Sequence, residues 1–309
     1  MPLRIIGGIM YNVIVLMSTY NGEKYLREQL DSILHQVDVN ISVLIRDDGS
    51  NDDTLKIINE YKNKFSNISL IQGRNLGPCQ SFFELLYNQE NSKYDFVCVS
   101  DQDDVWYKDK IISAILKIGV CDAPTLYYSA ITRWDMLTGT KSDYIARIQY
   151  SFEESLFKSQ FAGCTMVLNK AGIEFLQSFD KVDIAVMHDQ YLYQLFKGCN
   201  QRVVYDPNSH IDYRIHGSNV SVVGQSIKSE LKHNFTILRK QKGFRKACAR
   251  ELMDKISFAL EQDNRKYLEK LAHYNKLRNK VYVISSIKNF KYEEKEKKKA
   301  FFSILLGLY

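Results

Sequence analysis

The sequence lacks most of the features that classify a chain at a glance. It has four prolines, with none after Pro207, and no internal repeat. It has no Cys-x-x-Cys pair: Cys79, Cys98, Cys121, Cys164, Cys199 and Cys248 are scattered. Several sit in apolar runs, such as Cys98 in "FVCV". That usage fits reduced thiols in a cytosolic protein and argues against a disulfide frame or a zinc site. No secretory signal is visible. The stretch "MPLRIIGGI" is short, lacks a small-residue cleavage site and runs into a strand, so Met10 serves as a start as readily as Met1. The apolar end "AFFSILLGLY" is too short to span a bilayer. One glycine follows the first strand, in "STYNGEKYL", so neither GxxxxGK(S/T) nor GxGxxG is present. A nucleotide-phosphate loop and a dinucleotide fingerprint are thereby excluded.

What is present is ordinary for a globular protein of 309 residues: 45% apolar and 25% charged. Disordered and collagen-like classes are excluded, and the length allows one large or two smaller domains. Charge is unevenly placed. Residues 1–224 carry 21 Lys and Arg against 27 Asp and Glu, a net of −6. Residues 225–309 carry 21 against 9, a net of +12. The chain therefore reads as an acidic domain (1–224) followed by a basic helical region (225–309). Such a basic region suits an anionic membrane surface, a helical cap or contact between two copies in a homodimer. Its aromatic residues follow helical core spacing rather than a stacking platform, which argues against nucleic acid.

Along the chain, strand and helix signals alternate. "YNVIVLMST" (11–19) is a buried strand, and Tyr25, Leu26, Leu30, Ile33 and Leu34 after it lie at helical spacing. "ISVLIRDDGS" is a second strand, with a helix after it capped by Asn51 or Asp52. "ISLIQG" and "YDFVCVSDQDD" are further strands, each with a helix following. Four such repeats predict right-handed crossovers and an α/β, mostly parallel, doubly wound sheet. From residue 125, "TLYYSAITRWD", "FAGCTMVLN" and "RVVYDPNSHIDYRIHG" read as strands, while "KAGIEFLQSF" and "HDQYLYQLFKG" read as helices. The region after 225 reads as helices. Leu231, Phe235 and Leu238 share a face, as do Leu252, Ile256, Ala259 and Leu260, and then Leu268, Leu271, Tyr274 and Leu277.

In such sheets ligands bind at the carboxyl ends of the strands. The polar clusters fall there: Ser18-Thr19-Tyr20, Asp47-Asp48, Asn75-Leu76-Gly77 and Asp101 to Asp104. Carboxylates at Asp47 and Asp48 accept hydrogen bonds from a nucleobase N–H and ribose hydroxyls. Asp101-Gln102-Asp103 offers hard oxygen ligands for Mg²⁺ or Mn²⁺, which also bridge diphosphate oxygens. The residues thus predict a nucleoside-diphosphate site. Some positions have a second reading. Asp48 suits a helix cap, and Asp104 suits the start of the helix "KDKIISAIL". Asp189 suits the N-cap of "QYLYQLF". Trp106 is either core or a flat wall for an acceptor sugar.

"VLMSTYNGEKYLREQLDSILHQ", "VLIRDDGSNDDTLKII", "RNLGPCQSF", "SDQDDVW" and "HDQYLYQL" together resemble the inverting family 2 glycosyltransferases of GT-A fold. The set "SDQDDVW", "MHDQYLYQL" and "YRIHGSNV" resembles the rhamnosyltransferase-like members that build bacterial surface polysaccharides. The resemblance spans about residues 11–224. It implies that Thr19 and Tyr20 flank the base, that Asp47, Asp48 and Asn75 hold base and ribose, and that Asp101 meets ribose. It places Asp103 and His216 at the metal, Arg214 over the diphosphate and Gly163 where the chain approaches the donor. Asp189 is the implied catalytic base, with His188 and Trp106 toward the acceptor. The implied donor is a dTDP- or UDP-sugar, dTDP-L-rhamnose first. The implied acceptor is a saccharide or lipid-linked oligosaccharide, met by a cytoplasmic enzyme peripheral to the inner face of the cell membrane. Two other readings fit less well. A sugar-nucleotide nucleotidyltransferase carries a GxG(T/S)R loop, absent here. A Mg²⁺-binding receiver module leaves the second half of the chain unexplained.

Overall fold

The computed structural model describes residues 10–145, 149–159, 161–217 and 243–309. Strands β1 (Tyr11–Thr19), β2 (Val39–Asp47), β3 (Ile68–Gln72) and β4 (Phe96–Ser100) alternate with helices α1 (Leu26–Leu34), α2 (Thr54–Lys64) and α3 (Pro78–Leu86). A two-residue strand, β5 (Val105–Trp106), precedes α4 (Lys110–Ile118). Then come β6 (Thr125–Asp135), β7 (Lys141–Tyr144), α5 (Phe152–Ser155), β8 (Val167–Asn169), α6 (Lys170–Gln177), α7 (His188–Gly198) and β9 (Arg202–Ile215). Helices α8 (Phe244–Ile256), α9 (Gln262–Ala272), α10 (Leu277–Ile287) and α11 (Glu294–Leu305) complete the described chain.

The nine strands of the described residues form one sheet, ordered β3-β2-β1-β4-β8-β6-β9-β5, with β7 beside β6. The first four strands are parallel, as the alternating pattern predicts, and β6 pairs parallel with β9. β8 runs antiparallel between β4 and β6. The second half is therefore mixed. "FAGCTMVLN" yields only three strand residues, because Gly163–Thr165 first makes a 3-10 turn.

Strand periodicity splits the core into two layers. Val13, Val15 and Met17 face α1, α2 and α4 through Leu30, Ile58 and Ile115. Ile14 and Leu16 face the other way, toward Phe83, Leu176 and Leu195. Both faces of β1 are covered, which explains its unbroken apolar run. The chain leaves β3, crosses over β1 through α3, and returns as β4 on the far side of β1. The carboxyl ends of β1 and β4 thus flank the switch point, where an open α/β sheet binds ligands.

The C-terminal helices share the second layer. Ala249, Leu252, Ile256, Leu268, Leu271 and Ile304 join the same cluster as Leu16 and Val97. The expected boundary at 224/225 and the face of Leu231, Phe235 and Leu238 lie outside the described residues. Leu277 departs from its expected face and is 77% exposed. The helix before it ends at Ala272, and α10 starts anew at Leu277 after an extended Lys276, so the spacing does not carry through. No helix among the described residues is long and apolar enough to cross a membrane. Because the core is shared, Leu268→Ala should cost about 2–5 kcal/mol and leave a single urea transition. A separate early transition of the C-terminal helices contradicts the shared core.

Candidate active site

The cavity at the switch point has a volume of about 960 Å³. Its walls come from the ends of β1, β2 and β4, from the turn before β8, from the start of α7, from β6 and from α11. Of the residues picked from sequence, Tyr20, Asp48, Asn75, Asp101, Asp103, Gly163, His188 and Asp189 line it together.

Tyr20 is 44% exposed and lines the cavity, as does Asn75. Its backbone is clamped by Gln102, whose Oε1 accepts from Tyr20 N at 2.9 Å and whose Nε2 donates to Tyr20 O at 3.1 Å. This amide serves as a strand partner and fixes the acidic loop against the end of β1. Asp48 does not cap α2. It pairs with the Arg46 guanidinium and accepts from Leu76 N and Gly77 N, both at 2.9 Å. The α2 start is served by Asp52, which accepts from Thr54 N at 3.0 Å.

Thr19 and Asp47 do not face the cavity. Both are buried, and Thr19 Oγ1 donates to Asp47 Oδ1 at 3.1 Å. Asp47 also accepts from Gly49 N and Ser50 N, which closes the turn after β2. Ser18, one residue earlier, reaches the wall instead.

Asp103 Oδ2 lies 2.9 Å from His216 Nε2. The two residues named for the metal are therefore adjacent in space, 113 positions apart in the chain. A carboxylate oxygen beside an imidazole nitrogen is a donor pair that fits Mn²⁺ and tolerates Mg²⁺. A second group, Asp101, Asp104 and Cys164, has its ligand atoms within 4.8 Å of one another. It fits a hard cation poorly. Burial pushes the Cys164 thiol well above its usual range, so sulfur stays protonated.

Asp104 does not start a helix; α4 begins six residues later. The carboxylate is buried and accepts from Arg214 N at 3.2 Å. Burial and the neighbouring Asp103 and Asp101 charges hold it well above the carboxylate range. Burial also raises Asp101, with Asp103 and Asp189 adding to the effect.

Arg214 is 1% exposed and lies behind this loop, away from the cavity walls. Its guanidinium pairs with Glu28, donates to Asp103 O at 3.3 Å and sits 4.9 Å from the Tyr25 ring. Its placement supports the acidic loop rather than a diphosphate in the cavity. Trp106 is likewise core, 3% exposed, with Lys110 Nζ 3.6 Å from its ring centre. Strand β5 pairs with β9, which turns the indole inward, so it makes no acceptor wall.

Asp189 lies in the first turn of α7, two residues past the N-cap position Met187. Its Oδ1 accepts from Gln190 N at 2.7 Å, and the Gly163 N–H also faces it. Burial outweighs these donors and lifts its carboxyl to about 6. His188 is buried, stacked on Phe82 with ring centres 4.0 Å apart. Among the described residues neither ring nitrogen has a hydrogen-bond partner, and burial depresses the imidazole to about 3, so it is neutral. A Cβ at Gly163 would stand 2.6 Å from His188 Nε2, so glycine is what lets this turn lie over the imidazole.

Several wall residues were not singled out from the sequence: Gln102, Arg133, Lys158, Arg245, Tyr292 and Lys299. Gln102 lay in view between two aspartates. The others carry no local signal, since an isolated basic or aromatic residue reads as solvated surface or core.

The fold is that of a GT-A glycosyltransferase. The family model described as "Glycosyl transferase family 2" matches residues 14–165. The chain belongs to that family: it is 32% identical to a dTDP-rhamnosyl transferase, RfbG of Shigella flexneri, over 80% of this chain and 86% of the relative. Solved structures show the same fold. TarS of S. aureus with UDP-GlcNAc superposes with a TM-score of 0.58 at 17% identity, covering 96% of this chain and 82% of that one. The mannosyltransferase PcManGT of Pyrobaculum calidifontis, with GDP-Man and Mn²⁺, gives 0.53 at 15% identity, covering 98% and 82%.

Proposed function

We propose that this glycosyltransferase moves L-rhamnose from dTDP-L-rhamnose to a hydroxyl of a lipid-linked cell-surface saccharide, with inversion at the anomeric carbon. The observation that carries the reading is one continuous cavity lined by Tyr20, Asp48, Asn75, Asp101, Asp103 and Asp189, with His216 2.9 Å from Asp103. The dTDP-rhamnosyl transferase relative supports the donor.

Tyr20 offers an exposed aromatic face for the base. Asp48, held in place by its Arg46 partner, offers carboxylate oxygens to base or ribose donors. Asp103 and His216 would hold Mg²⁺ or Mn²⁺. A cation there supplies positive charge to the departing diphosphate. Asp189 takes the proton of the acceptor hydroxyl as that oxygen attacks from the face opposite the leaving group. Its raised pKa of about 6 leaves it ionised at neutral pH yet more basic than a free carboxylate. One base and in-line attack give inversion, so no carboxylate nucleophile is needed. The neutral His188 beside it adds no competing charge.

The same reading places the enzyme at an anionic membrane surface. Leu277, Val281, Phe302, Leu305 and Leu306 are exposed on α10 and at the end of α11. Lys280 Nζ donates to Leu305 O at 2.7 Å and holds the two helices together there. Exposed Arg278, Lys295 and Lys298 share these helices, so apolar and cationic groups stand side by side.

Asp103→Ala should lose Mn²⁺-dependent dTDP-rhamnose binding in calorimetry. Asp189→Asn should bind donor normally and transfer about 10²–10⁴-fold more slowly. Wild-type transfer should fall about tenfold per pH unit below about 6 as Asp189 takes up its proton; normal transfer by Asp189→Asn removes it as the base. Wild-type protein should sediment with phosphatidylglycerol vesicles but not with phosphatidylcholine vesicles, and a Val281→Glu/Leu305→Glu variant should stay in solution. Equal sedimentation of both proteins rules out this surface.

A further inference from the structure

The charged residues lining the cavity fall into groups of opposite sign. Asp48, Asp101, Asp103 and Asp189 are the acidic group. Lys158, Arg245 and Lys299 line the same cavity, with one carboxylate, Glu296, among them. Lys158 Nζ lies 3.6 Å from Glu296 Oε2, and Lys299 Nζ lies 3.0 Å from Glu296 Oε1. Arg245 Nη1 donates to the Leu156 carbonyl at 3.4 Å, and no carboxylate among the described residues pairs with it. Three cations facing one anion leave a local excess of two positive charges. Like charges gathered over low-dielectric walls repel, and an added anion relieves that repulsion.

Those walls are aromatic. Phe157 and Tyr309 have ring centres 5.0 Å apart, and Tyr292 adjoins them in the same wall. Flat aromatic faces suit sugar C–H surfaces and isoprenoid chains alike. The residues come from three separate stretches: Phe157 and Lys158 after α5, Arg245 on α8, and Lys299 on α11. α11 is shared between two environments. Its Glu296, Lys299, Ala300 and Ser303 face the cavity, while Lys298, Phe302 and Leu305 on the neighbouring stripe are exposed.

We infer that Lys158, Arg245 and Lys299 form an acceptor subsite for a phosphate-type anion, the group that joins the acceptor saccharide to its isoprenoid lipid. This rests on the glycosyltransferase reading and adds to it an anionic acceptor, bound in the same cavity as the donor by its own cationic group. The cations draw the phosphate in and the carboxylates repel it, so the phosphate seats on Lys158, Arg245 and Lys299 rather than among the aspartates.

The test uses the full chain and soluble probes. Farnesyl phosphate, farnesol and inorganic phosphate are titrated by calorimetry, with and without dTDP and Mn²⁺. Farnesyl phosphate should bind and farnesol should not. Arg245→Ala and Lys299→Ala should each weaken binding about tenfold, the worth of one charge-assisted hydrogen bond. Lys299→Arg should keep most of the affinity, and all variants should bind dTDP like wild type, which certifies their fold. Inorganic phosphate binding as tightly as farnesyl phosphate, with the same sensitivity to the variants, assigns the subsite to phosphate without the lipid. The inference is overturned if farnesol matches farnesyl phosphate, if neither phosphate binds, or if the alanine variants keep wild-type affinity. Failure of dTDP to bind wild type is a separate outcome: it removes the donor reading and leaves the phosphate titration to be judged alone.

Discussion

Carboxylates crowded at the ends of parallel strands repel one another, and much of the local structure offsets that repulsion. Asp48 is neutralised by Arg46. Asp103 has His216 at 2.9 Å, and Asp104 accepts the backbone N–H of Arg214. Asp189 takes N–H donors from Gln190 and Gly163. Each carboxylate keeps a distinct environment, and the environments set distinct chemistry. Asp48 has a guanidinium partner, whereas burial of Asp189 outweighs the backbone N–H groups of Gln190, Gly163 and its own residue and holds it near 6. A neutral His188 completes the pattern, since a second protonated group next to Asp189 would depress its basicity.

The fold supplies these environments from opposite directions. Strands β1 to β4 deliver the carboxylates, while β9 returns across the sheet and brings Arg214 and His216 behind them. Arg214 bridges Glu28 on α1 to the acidic loop, so the first helix and the last strand are tied at the site. The C-terminal helices close the other side. Their apolar faces join the core beside Ile14 and Leu16, and their polar faces wall the cavity. The described helices of a region that looks like an independent basic tail in sequence thus share the core and wall the cavity.

How much was legible follows from which interactions are local. β1, β6 and α7 have the limits that periodicity alone predicts, because each is a long run with one repeat. β5 has two residues, too few for any period, and it decides where Trp106 points. Missing it makes the indole look like an acceptor wall. Thr19 and Asp47 lie at the right strand ends, but their side chains are spent on the frame: the period of two puts Ser18, not Thr19, toward the cavity. Arg214 faces away because the β9 register is set by its partner β6, 80 residues earlier in the chain. The cationic group of the cavity was invisible for the same reason, since Lys158, Arg245 and Lys299 meet only through tertiary packing.

The central claim is that Asp103 and His216 form the cation site that anchors the donor diphosphate. Crystals grown with dTDP and Mn²⁺, measured at the manganese edge, test it directly. The account predicts one anomalous peak bonded to the Asp103 carboxylate and His216 Nε2, facing the dTDP phosphates. A peak among Asp101, Asp104 and Cys164, or bound dTDP with no manganese beside Asp103, would contradict it.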